Sequence, residues 1–105
     1  NIVLTNFKYI CSYKFSPNDY ISISKYFNWF FIDNIPELNK NMLNEARRFV
    51  ILIDILYEKK KKLVIRADKN VENIFIFKTN KELPFLRTVS RIIEMTSKEW
   101  QTSKK

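Results

Sequence analysis

Two short apolar runs that flank a long helix pattern constrain the fold of this chain more than any other feature. Residues 29–32 (WFFI) and 63–65 (LVI) consist of strand-forming apolar side chains and are followed by polar residues. Such runs are typical of strands that are buried on both faces. Between them, residues 40–58 predict a helix of about five turns, whose apolar face widens in its second half. Strand, helix and strand in this order predict a βαβ unit with parallel strands and a right-handed crossover.

The N-terminal residues predict two further elements and a well-defined helix start. Residues 2–7 (IVLTNF) indicate a short strand, and the FKYIC segment that overlaps its end indicates one helical turn. Ser16, Pro17 and Asp19 then supply a cap, a favoured first helical residue and an acid in the first turn. We expect a helix to begin there.

The C-terminal third gives a less uniform pattern. Residues 70–80 leave a helical turn and a strand open, whereas residues 84–95 predict a helix and the segment after Trp100 predicts a loose tail. We therefore expect one α/β unit over residues 1–105, with two or three short buried strands and four helices. No internal repeat, linker or second domain is visible in the sequence.

The net charge of +8 has two explanations. The chain has no glycine and only two alanines, whereas residues with A/T-rich codons (Lys, Asn, Ile, Tyr and Phe) abound. Codon bias then accounts for much of the lysine content, so the five arginines carry more functional information than the lysines. A basic module that binds nucleic acid or an acidic protein surface remains an alternative. Nucleic acid is the less favoured partner, because no aromatic residues are interleaved with the lysine run.

Several kinds of chemistry are excluded by the residue types that the chain lacks. A P-loop requires glycines and a GK[ST] segment, and this chain has no glycine. Without histidine there is no Ser-His or Cys-His nucleophilic pair, and the lone Cys11 forms neither a disulfide framework nor a zinc pattern. No apolar run reaches the roughly 18 residues of a membrane span. We therefore predict no catalytic residue, no metal site and no ATP hydrolysis within this chain alone.

The final predicted helix carries the most distinctive charge pattern. Arg87, Ser90, Arg91 and Glu94 are spaced i, i+3, i+4 and i+7 beside an apolar stripe. Two arginines one turn apart indicate either a face that binds phosphate or two structural ion pairs with a carboxylate such as Glu94. Spacing alone favours the ion pairs.

The long helix carries a second arginine pair and an isolated acid. Arg47 and Arg48 precede its most apolar part, and Glu45 is placed to form a local ion pair with Arg48. Asp54 is the one acid within FVILIDILY, and a buried carboxylate there requires a partner, such as an arginine or a helix N-terminus. Asp33, which ends WFFID, is interpreted as a strand-to-loop cap, since no second acid follows it.

Taken together, these segments resemble the C-terminal signature of the ZapE family of AAA+ ATPases, whose mitochondrial members are the "ATPase family gene 1" proteins. ARRFVILIDILYEKKKKLVI and LRTVSRIIEMTSKEW are the distinctive segments. FKYIC is similar to the family's FxxLC element, DYISISKYF to its DY-helix, and FFIDNIPEL to its strand that ends in VP or IP and then Leu. The resemblance covers about residues 6–100. The Walker A and Walker B segments are absent, and MTSKEW stands where the family has MQSxxYL.

The resemblance implies a fragment of a P-loop NTPase (AAA+)-type fold, which in the complete protein uses ATP and Mg to drive protein remodelling. Its implied partners are the missing N-terminal ATPase half or a full-length homologue, together with a division-ring protein or other protein substrates. It implies a bacterial cytoplasmic location, at the division site or peripherally at the inner membrane, or a mitochondrial location with a role in protein quality control. A degenerate, inactive remnant is a further alternative.

The resemblance also marks six residues of this sequence. It favours a role for Arg87 or Arg91 in the ATPase assembly. The family-pattern arginines and the acids that join them are Arg47, Arg48, Arg87, Arg91, Asp54 and Glu94.

Overall fold

Three parallel strands form one sheet in a computed structural model of the chain, which describes residues 1–76 and 83–102. The strands are β1 (Ile2–Asn6), β2 (Trp29–Ile35) and β3 (Lys62–Ala67). The helices are α1 (Phe7–Ile10), α2 (Pro17–Tyr26), α3 (Leu43–Glu58), α4 (Leu83–Met95) and α5 (Lys98–Gln101). Two 3₁₀ turns span Lys40–Met42 and Val71–Asn73.

The strand order is β1-β2-β3, so the chain always moves in the same direction across the sheet. The predicted βαβ unit is confirmed as β2-α3-β3, and β1 with α2 forms a second such unit. Because crossovers between parallel strands are right-handed, two crossovers in the same direction place their helices on the same face. This rule explains why α2 packs against α3 over one side of the sheet.

The start of α2 follows the predicted capping pattern. The Asp19 carboxylate accepts hydrogen bonds from the Ser16 backbone N–H at 2.7 Å and from the Ser16 hydroxyl at 3.1 Å, and Pro17 is the first helical residue. The hydroxyl of Tyr20, which is buried, donates to the Ile10 carbonyl at 2.6 Å. This bond joins α2 to α1.

The core lies between the sheet and α3. Phe30 and Ile32 of β2 and Leu63 of β3 point into it, together with most of the apolar face of α3. Phe49 of α3 is fully buried and meets the ring of Phe7 edge to face, with ring centroids 5.6 Å apart. At roughly 2 kcal/mol for each fully buried large apolar side chain, this single layer supplies most of the stability.

The sequence predicted strands that are buried on both faces, whereas the described residues cover only one face of the sheet. Burial alternates along β2, where Phe30 and Ile32 are buried and Phe31 between them is half-buried. Leu4 of β1 is 73% exposed. Since both crossovers lie on one face, the described residues leave the other face of the sheet uncovered.

The first residue of the predicted loose tail, Gln101, belongs to a short helix. This helix is α5, and Gln101 donates from its amide to the Leu63 carbonyl at 2.9 Å. In the ambiguous stretch 70–80, Val71–Asn73 is a 3₁₀ turn and Phe75 forms an isolated bridge with Leu38. Residues 77–80 of that stretch and the last residues 103–105 lie outside the described residues.

Candidate functional site

Asp54 of α3 lies between the two arginines of α4. Arg91 donates from Nη1 to Asp54 Oδ1 at 2.5 Å, and Arg87 donates from Nη2 to Asp54 Oδ2 at 3.5 Å. The sequence predicted a buried carboxylate at Asp54. In the structure its side chain is 28% exposed and therefore not deeply buried. Asp54 is the anion that relieves the repulsion between two guanidinium groups one helical turn apart.

A second contact set holds Arg91 from the other side. The Arg91 guanidinium carbon lies 4.6 Å from the centroid of the Tyr57 ring, and the Tyr57 hydroxyl donates to Glu94 Oε1 at 2.9 Å. This hydrogen bond raises the pKa of Tyr57, because the phenolate would lose the bond and face a carboxylate. Glu94, which the sequence offered as an ion-pair partner for an arginine, thus binds a tyrosine. We call Asp54, Tyr57, Arg87, Arg91 and Glu94 the arginine cluster.

The two arginines of the cluster differ in freedom. The Arg91 side chain is 22% exposed and is held by both a short charged hydrogen bond and an aromatic ring. The Arg87 side chain is 57% exposed, and its contact with Asp54 is at the limit of hydrogen-bond length. An anion that approached this face would therefore meet Arg87 first, while Arg91 would remain with Asp54.

The other two candidate arginines lie elsewhere on α3. Arg48 is about six residues before Asp54, which corresponds to roughly 9 Å along the helix axis. Arg47 is exposed, and Arg48 is half-buried and donates to the Cys11 carbonyl at 3.4 Å. The predicted ion pair of Arg48 with Glu45 is not among the four ion pairs formed between described residues. The four candidate arginines thus form two separate groups.

Arg48 lines a cleft of about 830 Å³ at the carboxyl ends of β1 and β2. Asn6, Lys8, Asn34 and Glu45 are among its other lining residues. Carboxyl ends of parallel strands often bind ligands where the winding direction of the sheet reverses, but no reversal occurs between β1 and β2. The order of the three described strands therefore gives no argument for a ligand site in this cleft.

Cys11 is fully buried close to this cleft, and its thiol is unreactive. Burial is the main cause that raises the pKa of its thiol, which the charge of Arg48 only partly opposes. A thiol that stays protonated is a poor nucleophile and a poor metal ligand. Cys11 is a core residue, in agreement with its interpretation from sequence.

An ion pair that the sequence did not reveal joins β2 to β3. Arg66 donates to Asp33 through two bonds, from Nε to Oδ1 at 2.7 Å and from Nη2 to Oδ2 at 2.5 Å. These bonds lower the pKa of Asp33 and raise that of Arg66. Asp33 also accepts from the Asn34 backbone N–H at 2.7 Å, but β2 continues to Ile35, so Asp33 lies within the strand and not at the predicted strand-to-loop boundary. The parallel register, in which Ile32 pairs with Ile65, brings the two charges side by side.

The lysine run has aromatic neighbours that are distant in sequence. Lys60 lies 5.3 Å from the ring centroid of Trp100, and Lys62 lies 5.6 Å from that of Trp29. Lys61 donates to the Asn28 side chain at 3.2 Å. The run thus packs locally around the start of β3, although linear sequence had suggested that no aromatic residues accompany it.

Within residues 1–76 and 83–102, no group of three or more His, Cys, Asp or Glu side chains is placed to hold a metal ion. Over the same residues, no helix is both long enough and apolar enough to cross a bilayer.

The parallel sheet with helical crossovers is of the α/β class and is consistent with a fragment of a P-loop NTPase-type fold, and sequence comparison assigns the family. The profile of the "AFG1-like ATPase" family matches residues 1–104, and the chain belongs to this family. The chain is 35% identical over 95 residues to "Cell division protein ZapE" of Escherichia coli K12, a match that covers 90% of this chain and 25% of that protein.

More distant relatives occur in eukaryotes. The chain is 26% identical over 129 residues to "Lactation elevated protein 1 homolog B" of Danio rerio, covering 93% of this chain and 26% of that protein. A match at 28% identity to "Uncharacterized protein C115.02c" of Schizosaccharomyces pombe covers 71% of this chain and 16% of that protein. The chain thus spans about a quarter of the length of the first two relatives. No solved structure matches it.

Proposed function

We propose that this chain is the C-terminal part of a ZapE-like AAA+ ATPase and serves a protein-remodelling machine without itself hydrolysing ATP. The observation that carries the proposal is the family match over residues 1–104, in a chain whose sequence has no glycine for a P-loop. In the assembled protein, ATP and Mg bind to the ATPase portion. The substrates are proteins, with a division-ring component as the first candidate because of the cell-division relative.

The arginine cluster is the part of this chain that we assign to the ATPase assembly. Arg87 is the exposed member, and its guanidinium is free to turn from a 3.5 Å contact with Asp54 toward a phosphate or an acidic element. Arg91 is a positioning residue, because it holds Asp54 and Tyr57 and thereby fixes the surface from which Arg87 projects. The cluster carries two arginines, Asp54 and Glu94, so an added anion would not face a net negative surface.

The test uses a complete ATPase in which residues 1–105 replace the matching quarter of the E. coli relative. Arg87→Ala in this chimera is expected to lower ATP turnover about a hundredfold, as the loss of other preorganised charge contacts does. The melting temperature should change little, since exposed ion pairs contribute under about 1 kcal/mol. Arg87→Lys should restore little turnover, because a point charge does not replace a fork of donors.

Lys98→Ala is the matched control, since it removes an exposed cation one helix further along the chain. Nucleotide affinity is measured beside turnover and melting temperature for each variant. Unchanged turnover in Arg87→Ala would refute its role in the assembly. Equal losses of turnover in Arg87→Ala and Lys98→Ala would indicate a general charge effect instead.

A further inference from the structure

The face of the sheet opposite the helices is apolar and uncovered within the described residues. The strand register aligns Ile2 with Trp29, and Leu4 with Phe31 and Val64, on this side. Ile2 is 43% exposed and Leu4 is 73% exposed, whereas Trp29, Phe31 and Val64 are half-buried and do not belong to the core cluster. We call these five residues the open face.

Parallel sheets in globular proteins are covered on both faces. Here β1-α2-β2 and β2-α3-β3 advance in the same direction, so right-handed crossovers place both helices on the core side. The crossover helices α2 and α3 therefore do not cover the open face. Crossover helices would cover the open face if further strands were wound in the opposite direction, beyond β1 or beyond β3.

The edge of β3 is closed. The carbonyls of Lys61 and Leu63 point to its outer edge, where Trp100 donates from Nε1 to Lys61 at 2.7 Å and Gln101 donates to Leu63 at 2.9 Å. Trp100 is itself stacked on Tyr57, with ring centroids 5.1 Å apart. Side chains of α5 therefore occupy the acceptors that a further strand would need.

The edge of β1 is open. No strand among the described residues pairs with its outer side, and its sequence, IVLTN, contains neither lysine nor proline, which commonly protect exposed edges. Leu4, the most exposed member of the open face, lies on this strand. The free edge and the open face therefore meet along β1.

We infer that β1 is the junction through which the sheet continues into the rest of the ATPase. The remaining part of the AFG1-like protein adds a parallel strand to the outer edge of β1 and packs an apolar helical layer on the open face. This inference rests on the proposed function. It is supported by the small part of the relatives' length that this chain covers, since the relatives are about four times as long as this chain. The chemistry of the face agrees, because Arg66 is paired with Asp33 and Lys62 lies over Trp29, which leaves an apolar surface between them.

The test compares the 105-residue chain with the complete chimeric ATPase. Leu4→Lys should leave the melting temperature of the chain alone unchanged, because Leu4 is exposed there. In the chimera the same change should lower the melting temperature by about 3–10 °C, since a leucine that is buried only in the assembly is lost. Tyr26→Lys is the matched control, because Tyr26 is 74% exposed at the end of α2, and it should have no greater effect in the chimera than in the chain. Leu4→Thr, which keeps strand propensity, is the milder variant if Leu4→Lys does not fold in the chimera.

Hydrogen exchange supplies a second readout. The amides of residues 2–6 should exchange at least about tenfold more slowly in the chimera than in the chain, because a new strand protects them. Equal effects of Leu4→Lys in both proteins, or equal exchange, would overturn the inference. A greater effect of Tyr26→Lys in the chimera would place the junction on α2 instead.

Other occupants would give different outcomes. In one such outcome, the chain alone forms a dimer in light scattering that Leu4→Lys dissociates, while the chimera shows no protection of β1. In that case a second copy of the chain covers the open face. Protection of β1 by a single-stranded oligonucleotide, and not in the chimera, would assign the face to nucleic acid. Both results would refute the inference. A chimera with the predicted Leu4 effect but no ATP turnover would support the junction and refute the proposed ATPase role.

Discussion

Replacing Arg91 by alanine is expected to destabilise this chain by about 2 kcal/mol, whereas replacing Arg87 should cost less than about 0.5 kcal/mol. Both arginines contact the same carboxylate, and their spacing on α4 does not distinguish them. The difference follows from the structure, in which Arg91 is 22% exposed and Arg87 is 57% exposed. Measuring the stability of both variants therefore tests whether Asp54 holds Arg91 firmly and Arg87 loosely.

The expected stability cost of Arg91→Ala is the sum of two interactions of Arg91, reduced because solvent screens them. A hydrogen bond to a charged group contributes about 1.5–3 kcal/mol, and the 2.5 Å bond from Arg91 to Asp54 is of this kind. The guanidinium over the Tyr57 ring adds roughly 0.5–1 kcal/mol at a partly exposed site. Water and Arg87 can both compensate Asp54, which is 28% exposed, so the net cost lies near the lower end. The Arg87 contact at 3.5 Å belongs with exposed ion pairs of small value.

Thermal and urea unfolding of the purified variants measure these differences. For a chain of this size, about 2 kcal/mol corresponds to a fall in melting temperature of roughly 8 °C or more. Arg47→Ala is the control, because Arg47 is an exposed arginine on α3, and its effect should stay within about 0.5 kcal/mol. A double-mutant cycle of Arg91→Ala with Asp54→Ala should give a coupling energy of about 1–2 kcal/mol. A melting temperature of Arg91→Ala equal to that of Arg47→Ala, or an equal cost of Arg87→Ala and Arg91→Ala, would contradict this geometry of the arginine cluster.

Three further results are expected of the chain on its own. Calorimetric titration with Mg-ATP should show no binding tighter than about millimolar and no hydrolysis, because no glycine-rich loop is present; micromolar affinity would contradict this. Fluorescence anisotropy with single-stranded or duplex DNA should show weak binding that modest salt removes, and nanomolar affinity at physiological ionic strength would favour the basic binding module instead. Cys11 should react slowly with a thiol reagent until the chain unfolds. Because burial raises the pKa of its thiol in the folded state, stability should fall as pH rises above about 8.5, where the unfolded thiol ionises, and Cys11→Ala should flatten that fall.

The local elements of this chain could be predicted from sequence because each is encoded by a short pattern. Two apolar runs around a long helix pattern predicted β2-α3-β3, and Ser16, Pro17 and Asp19 predicted the start of α2. The sequence also predicted that Asp54 has a partner, either an arginine or a helix N-terminus, because a carboxylate in an apolar helix face requires compensation. The resemblance of the arginine-containing segments to a known family was confirmed by the family match.

Only the tertiary structure decided which partner each charge takes. Asp54 and Arg91 are 37 positions apart, as are Tyr57 and Glu94, and these contacts depend on how α4 lies across α3. No periodicity along one helix encodes that relation, so Glu94 was assigned to an arginine when it binds Tyr57. The Asp33–Arg66 pair was missed for the same reason, since it exists only through the register of two strands.

The burial of the sheet was likewise decided by the tertiary structure. Apolar runs in β2 and β3 predicted strands that are covered on both faces. Apolar composition shows that the side chains favour burial, but it does not show which part of the protein covers them. In the described residues one face is covered and the other is open, since two right-handed crossovers in the same direction bring both helices to one side. The sequence by itself determined that these strands require apolar neighbours on both faces. The handedness of the connections determined which face this chain covers with its own helices.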